Sequence, residues 1–274
     1  MTERVESVEL GSYNQRKHDS EDPDDRPIWA PISRPSLMLS LYFIPSALLC
    51  ASVVEIAFRT ATPKKNTSET KFVRWTNDEE DGFMANWPQS LFPNEDELPI
   101  TSAAVALTVS VVVLGLVAYV ARNGPIKTTY WHRVSIISFL VLNVLLALAS
   151  TIYAFTLNSR SAGFNVQFAI DTAKAASADL TAGSPASFIY DLGTFTREMW
   201  ACNVRGLPNF NAGLGGKMRE ACDLGIGARW LCLFIFLLGT ALLTVVLMDH
   251  RGGGYFMQSW KRRRAVERNN VVYA

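Results

Sequence analysis

Four long hydrophobic runs, separated by polar segments, dominate the sequence. Each run has roughly the 20 residues that a helix needs to cross the hydrocarbon core of a bilayer. A soluble protein would instead repeat its apolar residues periodically along amphipathic elements. We therefore predict an all-α membrane protein with four transmembrane helices and two outer loops. The predicted spans are residues 37–58, 100–121, 134–157 and 230–248.

The positions of Lys and Arg predict the orientation of these spans. The connection after the second span carries Arg122, Lys127 and Arg133 and no acid, and the C-terminal segment is also basic. Positive charge close to the membrane favours the cytosolic side. We therefore expect a multi-pass protein of the plasma membrane or an endomembrane, with both termini cytosolic. The outer loops would then be residues 59–99 and 158–229.

Polar segments flank the predicted bundle, residues 37–248. Residues 1–36 are acidic and have few large apolar groups, so we expect a disordered cytosolic tail and no cleavable signal peptide. Residues 249–274 form a basic cytosolic tail in which aromatic residues precede a run of four cations. That run either contacts anionic lipid headgroups, at about 1 kcal/mol per residue, or is ordinary topogenic charge. Its members are Lys261, Arg262, Arg263 and Arg264.

The four cysteines divide into two groups. Cys50 and Cys232 fall within predicted spans, where we interpret them as small residues facing lipid or a neighbouring helix. Cys202 and Cys222 lie in the second outer loop, which is too polar and Gly-rich to hold a compact shape by apolar burial alone. Outer thiols generally oxidise, and closing such a loop contributes roughly 3 kcal/mol in the chain-entropy model. We predict a disulfide between them, with free thiols or a metal pair as alternatives.

Local patterns in the outer loops predict several smaller features. Asn66 begins an Asn-Thr-Ser sequon and is the candidate glycosylation site. An acidic and aromatic stretch at the end of the first loop lacks the twelve-residue calcium pattern, so we interpret it as a solvated loop. In the second loop, residues 168–180 and 194–202 are predicted to form short helices. Residues 206–216 are predicted to be irregular.

Two polar residues inside the predicted spans are candidates for function. An ionisable side chain is costly in hydrocarbon, which singles out Glu55 as the intramembrane acid. Glu55 either pairs with Arg59 one turn on or lines a cation path in an oligomer. Asn143 shares a helical face with Ser150 and other small residues, a pattern that favours close helix packing.

No catalytic, cofactor or metal motif stands out in the sequence. The three histidines lack metal spacing, and the Gly-rich residues 213–217 lack the spacing of a phosphate loop. The net charge of +1 gives no reason to expect nucleic acid as a partner. We therefore predict no catalytic residue, no cofactor, no metal and no nucleic-acid partner.

The second outer loop carries a sequence resemblance. Residues 195–202 read Phe-Thr-Arg-Glu-Met-Trp-Ala-Cys and are followed by Cys222 and by Ala-Arg-Trp at 228–230. In this loop and in its span pattern the chain resembles uncharacterised four-pass membrane proteins of filamentous fungi. Its topology is loosely similar to claudin-like tetraspans, including the fungal PalI group, which typically carry their cysteines in the first outer loop. The resemblance implies a membrane fold and no particular activity.

These observations favour a non-enzymatic membrane organiser or accessory protein. Its outer loops would contact other proteins or wall components, and its basic tail would engage the lipid bilayer, including anionic lipids. The expected partner is another membrane protein or a second copy of the chain. The alternatives are an oligomeric cation channel or transport component using Glu55, and a small membrane-bound biosynthetic enzyme with acids in its outer loops.

Overall fold

The computed structural model describes most of the predicted bundle and parts of both outer loops. The predicted N-terminal tail up to residue 33, the sequon at Asn66 and the basic run Lys261–Arg264 lie outside the described residues. The described residues are 34–61, 72–77, 80–85, 87–88, 90–123, 126–128, 130–178, 187–188, 190–207, 212–251 and 257–259.

Four long helices account for most of the described chain, and each contains a segment long and apolar enough to cross a membrane. They are α1 (Arg34–Ala61), α2 (Glu97–Asn123), α3 (Tyr130–Arg160) and α6 (Ala212–Arg251). The predicted fold class is therefore confirmed. The number and approximate positions of the spans follow from hydrophobic length alone.

The four long helices pack as a ring in which α1 and α3 each lie against both α2 and α6. The interior of the ring is filled by leucines and small residues, among them Leu41, Leu48 and Ala106. The outward faces carry large apolar side chains, such as Phe43 at 72% exposure and Trp131 at 75%. A continuous apolar exterior of this kind is stable when lipid, not water, surrounds it.

Two shorter helices and five short strands lie among the described residues outside the four long helices. The helices are α4 (Val166–Ala178) and α5 (Arg197–Val204), close to the two predicted in the second outer loop. Strand β1 (Phe72–Asn77) pairs antiparallel with β2 (Glu80–Ala85), which pairs parallel with β4 (Ser187–Phe188). At the opposite end of the bundle, β3 (Ile126–Thr128) pairs parallel with β5 (Met257–Ser259).

Helix α6 is longer than the sequence predicts. It has 40 residues, about 60 Å at the rise of an α-helix, and begins at Ala212 and not at the predicted Trp230. The prediction of irregular structure over residues 206–216 is therefore wrong from Ala212 onward. The glycines of this stretch do not end the helix, which continues to the part of α6 that packs closely against α5. The extension carries α6 beyond the bundle and into the second outer loop.

The described parts of the outer loops have a hydrophobic core of their own, separate from that of the bundle. Tyr190, Phe195 and Trp200 are fully buried there, and Phe164 stacks on Tyr190 at a centroid distance of 4.9 Å. The hydroxyl of Tyr190 accepts a hydrogen bond of 2.8 Å from the backbone N–H of Asn165. The second loop therefore buries more apolar surface than its polar, Gly-rich sequence predicts. We call this core, with α4, α5 and the first turns of α6, the outer unit.

Candidate functional site

Charged side chains from four parts of the chain converge where the outer unit meets the bundle. We call this end of the bundle the outer end, after the predicted orientation, and the cluster the ion-pair network. Each acidic group in the network is paired with an arginine, and the nitrogen and oxygen atoms of each pair lie within 4.0 Å of each other. Its members are Glu55 and Arg59 of α1, Glu95 and Asp96 before α2, Arg197 and Glu198 of α5, and Arg229 of α6.

Asp96 is the residue that joins the bundle to the outer unit. One of its carboxylate oxygens accepts a hydrogen bond of 3.0 Å from Nη1 of Arg59, and the other accepts from Nη2 of Arg197. Arg59 also donates from Nε to Glu55 at 2.5 Å, and Arg197 donates from Nε to Glu95. A single carboxylate thus connects helix α1 with helix α5.

A turn in the backbone places this carboxylate. Asn94 has a φ of 56°, in the left-handed region that asparagine tolerates better than most residues. The carbonyl of Asn94 accepts from the N–H of Glu97 at 3.2 Å, and the carbonyl of Asp96 accepts from the N–H of Ile100 at 2.9 Å. The turn therefore leads directly into α2 and holds Glu95 and Asp96 beneath α5.

Helix α5 begins at the network because its first turn is capped. The side chain of Thr196 accepts a hydrogen bond of 3.2 Å from the backbone N–H of Met199, as a threonine N-cap does. Glu198 lies in the first turn, where a negative charge is favoured by the helix dipole. The cap orients Arg197 toward the bundle and Glu198 toward α6.

The second branch of the network ties α5 to α6. Arg229 donates from Nη2 to Glu198 at 3.0 Å, and its guanidinium lies over the ring of Phe155 of α3, 5.5 Å from the centroid. At Gly225 a Cβ atom would lie 2.8 Å from that of Glu198, so only glycine permits this approach. The predicted disulfide between Cys202 and Cys222 is present and joins the same two helices.

Burial sets the electrostatics of the acids outside the spans. It raises the pKa of Glu95 above the usual value, and the nearby guanidinium of Arg197 opposes that shift. Burial likewise raises the pKa of Glu198, opposed by Arg229. Each of these carboxylates therefore lies at a buried site where an unpaired negative charge would be unfavourable, and an arginine stabilises it there.

Cys232 belongs to this network, although the sequence suggested only a small packing residue. Its thiol donates to Oε1 of Glu55 at 3.3 Å and lies 3.5 Å from Nη2 of Arg59. The hydroxyl of Ser150 in α3 approaches the same sulfur at 3.7 Å. One sequence signal for this contact was available. Cys232 lies in a span that runs antiparallel to the span of Glu55, and the two residues fall at the same predicted depth in the membrane. The other span cysteine, Cys50, is exposed on the outside of the bundle.

The two intramembrane polar residues take different positions. Glu55 is fully buried and pairs with Arg59. This is the first of the two interpretations offered by the sequence, the other being a cation path in an oligomer. Asn143 is buried where α3 approaches Gly239 of α6, whose Cβ would lie 3.1 Å from Nδ2. Close packing at Asn143 is as predicted, but neither polar atom of its amide has a hydrogen-bond partner among the described residues.

The network leaves little room for a bound molecule. A cleft of about 50 Å³ lies between it and the outer ends of α3 and α6. Within the described ranges, no group of three or more His, Cys, Asp or Glu side chains is arranged to hold a metal ion. The network can hold the helices together, and most of its charged groups are already engaged in ion pairs between them.

No protein-family model matches the chain, and no curated protein or solved structure is significantly similar to it. The class of protein therefore follows from the fold itself. Four membrane-spanning helices in a ring, an outer disulfide and a buried ion-pair network define a multi-pass helical membrane protein.

Proposed function

We propose that the protein is a non-enzymatic membrane organiser or accessory protein that presents its outer unit as a fixed binding platform. The observation that carries this proposal is the ion-pair network. Each arginine of the network already holds at least one carboxylate of the chain, and Asp96 holds two arginines. Groups engaged in this way fix the outer unit on the bundle and are not free to act on a substrate.

The proposal includes an orientation and a location. A disulfide persists in an oxidising compartment, which favours an outer unit outside the cell or in a secretory lumen. The basic connection between α2 and α3 favours the cytosol at the other end. We extend this to a plasma membrane or endomembrane of a filamentous fungus, on the strength of the sequence resemblance, and to cytosolic termini.

The burial of Glu55 favours an organiser over a cation channel. Its side chain is 1% exposed and bonds Arg59 and Cys232 within one chain. A carboxylate that lines a pore must face the ion path, and one that is paired with arginine attracts cations weakly. An enzyme whose catalytic acids are Glu95, Asp96 or Glu198 is disfavoured for a similar reason, since each of the three is paired with an arginine.

The test is a capture experiment that depends on the outer unit. The tagged protein is cross-linked in its native membrane and purified in mild detergent, and bound proteins are quantified. We expect one membrane protein at a constant ratio with the wild type and with Gly115→Ala, a control whose added methyl meets open space on α2. The ratio should fall in Cys202→Ser/Cys222→Ser and in Asp96→Asn, which loosen the outer unit by different routes.

Size-exclusion profiles establish that each variant still forms the bundle. Equal capture by wild type and both loosened variants would contradict the platform proposal. Reconstituted protein supplies the second test, because the channel alternative requires conductance that changes on Glu55→Gln. We expect no conductance above that of empty liposomes.

A further inference from the structure

The end of the bundle opposite the outer unit, which we call the inner end, carries a small parallel sheet. Strand β3 lies in the connection between α2 and α3, and β5 follows the end of α6. Ile126 pairs with Met257, and Thr128 pairs with Ser259. Strand β3 also contacts α3. The pairing therefore returns the chain beyond α6 to the α2–α3 connection, beside the first turn of α3.

Exposed aromatic side chains mark the level of the membrane surface beside this sheet. Tyr119, near the end of α2, is 55% exposed, and Trp131, in the first turn of α3, is 75% exposed. Tyr and Trp concentrate at the boundary between the hydrocarbon and the headgroups. Because β3 joins these two helix ends, the sheet lies at the level of the headgroups of one leaflet.

The charge at the inner end is positive. The segment from the last turn of α2 to the first turn of α3 carries Arg122, Lys127 and Arg133 and no acid. The side chain of Arg122 is exposed, so it can reach the headgroups. Asp249, the acid near the end of α6, is only 5% exposed. The described part of the inner end therefore offers cations, and not acids, to the membrane surface.

The sequence supplies further cations directly after β5. The basic run Lys261–Arg264 begins two residues beyond Ser259. A chain spans at most about 3.6 Å per residue, so the first cation is within about 7 Å of the sheet and the last within about 18 Å. The Debye length at physiological ionic strength is about 8 Å. Pairing of β5 with β3 therefore keeps the run within reach of the headgroups.

We propose that the β3–β5 sheet makes the inner end of the bundle a binding site for the headgroups of anionic lipids, with cations from the α2–α3 connection and from the C-terminal segment. Topogenic charge acts during insertion and needs no fixed place in the folded protein, whereas this pairing gives the basic run one. Each cation near the surface adds to the attraction, so two segments held together bind anionic lipid more strongly than either alone. This site does not depend on the proposed function of the outer unit.

The experiment measures which lipid the purified full chain retains. Protein in mild detergent is offered equal amounts of phosphatidylserine and phosphatidylcholine with the same acyl chains, and the lipids that remain after washing are quantified by mass spectrometry. The wild type should prefer phosphatidylserine. Arg262→Gln/Arg263→Gln/Arg264→Gln and Arg122→Gln/Lys127→Gln should each lower the ratio of the two lipids by about fivefold or more, the effect of losing at least one cation contact. Insertion is already complete, so topogenic charge does not contribute.

Gln258→Pro/Ser259→Pro tests the strand pairing while every charge is retained. The N–H groups of successive residues in a strand point alternately toward and away from the neighbouring strand, so two consecutive prolines remove a donor to β3. The lipid ratio should fall about as far as in the charge variants. Asn269→Pro/Asn270→Pro, the same change beyond the basic run, is the matched control and should keep the wild-type ratio.

Size-exclusion profiles and unfolding midpoints establish that each variant retains the bundle. A wild type without preference for phosphatidylserine would overturn the proposal, as would an unchanged ratio in Gln258→Pro/Ser259→Pro. A preference that appears only after the five acids within residues 19–25 are replaced by their amides would also overturn it. In that case the acidic N-terminal segment of the chain, and not lipid, occupies the inner end.

Discussion

At the scale of single residues, Asp96 joins two helices of the ion-pair network, although no sequence pattern singles it out. It accepts hydrogen bonds from Arg59 and Arg197, whose helices are far apart in sequence. Its side chain is 17% exposed, so part of the interaction is shielded from water. Removing one partner of a buried ion pair is costly, because the other charge remains desolvated.

Asp96→Asn should therefore lower the free energy of unfolding by about 3 kcal/mol, near the lower end for breaking a buried pair. Thermal unfolding in detergent measures this as a lower midpoint. The control is Asp223→Asn, which removes a pair whose aspartate is 63% exposed and should change stability by less than about 1 kcal/mol. Equal shifts in the two variants would show that burial of the network does not strengthen it.

Glu95 should make stability depend on pH. Burial raises its pKa in the folded protein above the ordinary value of 4.5, so the folded state holds the proton more tightly than the unfolded state does. The stability gained by protonation is present below the unfolded pKa and is lost as pH rises through the folded pKa.

Glu95→Gln removes this titration. The difference in unfolding midpoint, variant minus wild type, should therefore become more favourable to the variant as the pH rises above about 4.5. Glu97→Gln, at an exposed position of α2, serves as the control. Parallel pH profiles of Glu95→Gln and the wild type would contradict the expectation.

At the scale of elements, the contact between α5 and α6 is set by Gly225. A methyl group there would lie 2.8 Å from the Cβ of Glu198 and 3.3 Å from its Cα, closer than packed atoms allow. Gly225→Ala should force the helices apart, weaken the Arg229 pair with Glu198 and lower the unfolding midpoint. Overpacking of this kind typically costs about 1–3 kcal/mol.

Gly216→Ala tests the same substitution in the same helix with the opposite expected sign. No atom lies within 4 Å of the added methyl, and alanine is favoured over glycine in a helix by about 1 kcal/mol. Gly216→Ala should therefore raise the midpoint while Gly225→Ala lowers it. Destabilisation of similar size at both positions would indicate that helix contact is not the cause.

The disulfide holds the same pair of helices covalently. Cys202 and Cys222 are separated by 20 residues, and a loop of this length contributes about 3 kcal/mol in the chain-entropy model. Cleavage between them by protease should leave the fragments joined on a non-reducing gel and separate them after reduction. Cys202→Ser, Cys222→Ser and the double variant should lose stability equally, since either change removes the whole bridge. Labelling of both thiols in untreated protein would contradict the assignment.

At the scale of the whole molecule, the outer unit and the basic α2–α3 connection lie at opposite ends of the bundle. Protease added outside intact cells should cut within residues 59–99 or 158–229 and leave terminal tags intact. The same protease should remove both tags once the membrane is permeabilised. Loss of a tag from intact cells would reverse the proposed orientation.

The sequence by itself determined the features that depend on local composition. The spans follow from hydrophobic length, which in lipid is sufficient to specify a helix. The spacing of one helical turn made a pair between Glu55 and Arg59 one of two interpretations, and a short amphipathic stretch predicted a helix over residues 194–202, close to α5. Cys202 and Cys222 could be paired because they are the only cysteines outside the predicted spans.

Only the tertiary structure decided how these pieces meet. Asp96 contacts Arg59 across 37 residues, and Cys232 approaches Glu55 across 177, distances over which no periodicity connects them. The aromatic core of the outer unit was missed for a related reason, since Tyr190, Phe195 and Trp200 lie in short stretches between polar residues, and no one stretch is long enough to indicate a core. Hydrophobic length is a property of one segment, whereas an ion pair or a core between segments exists only once the chain has folded.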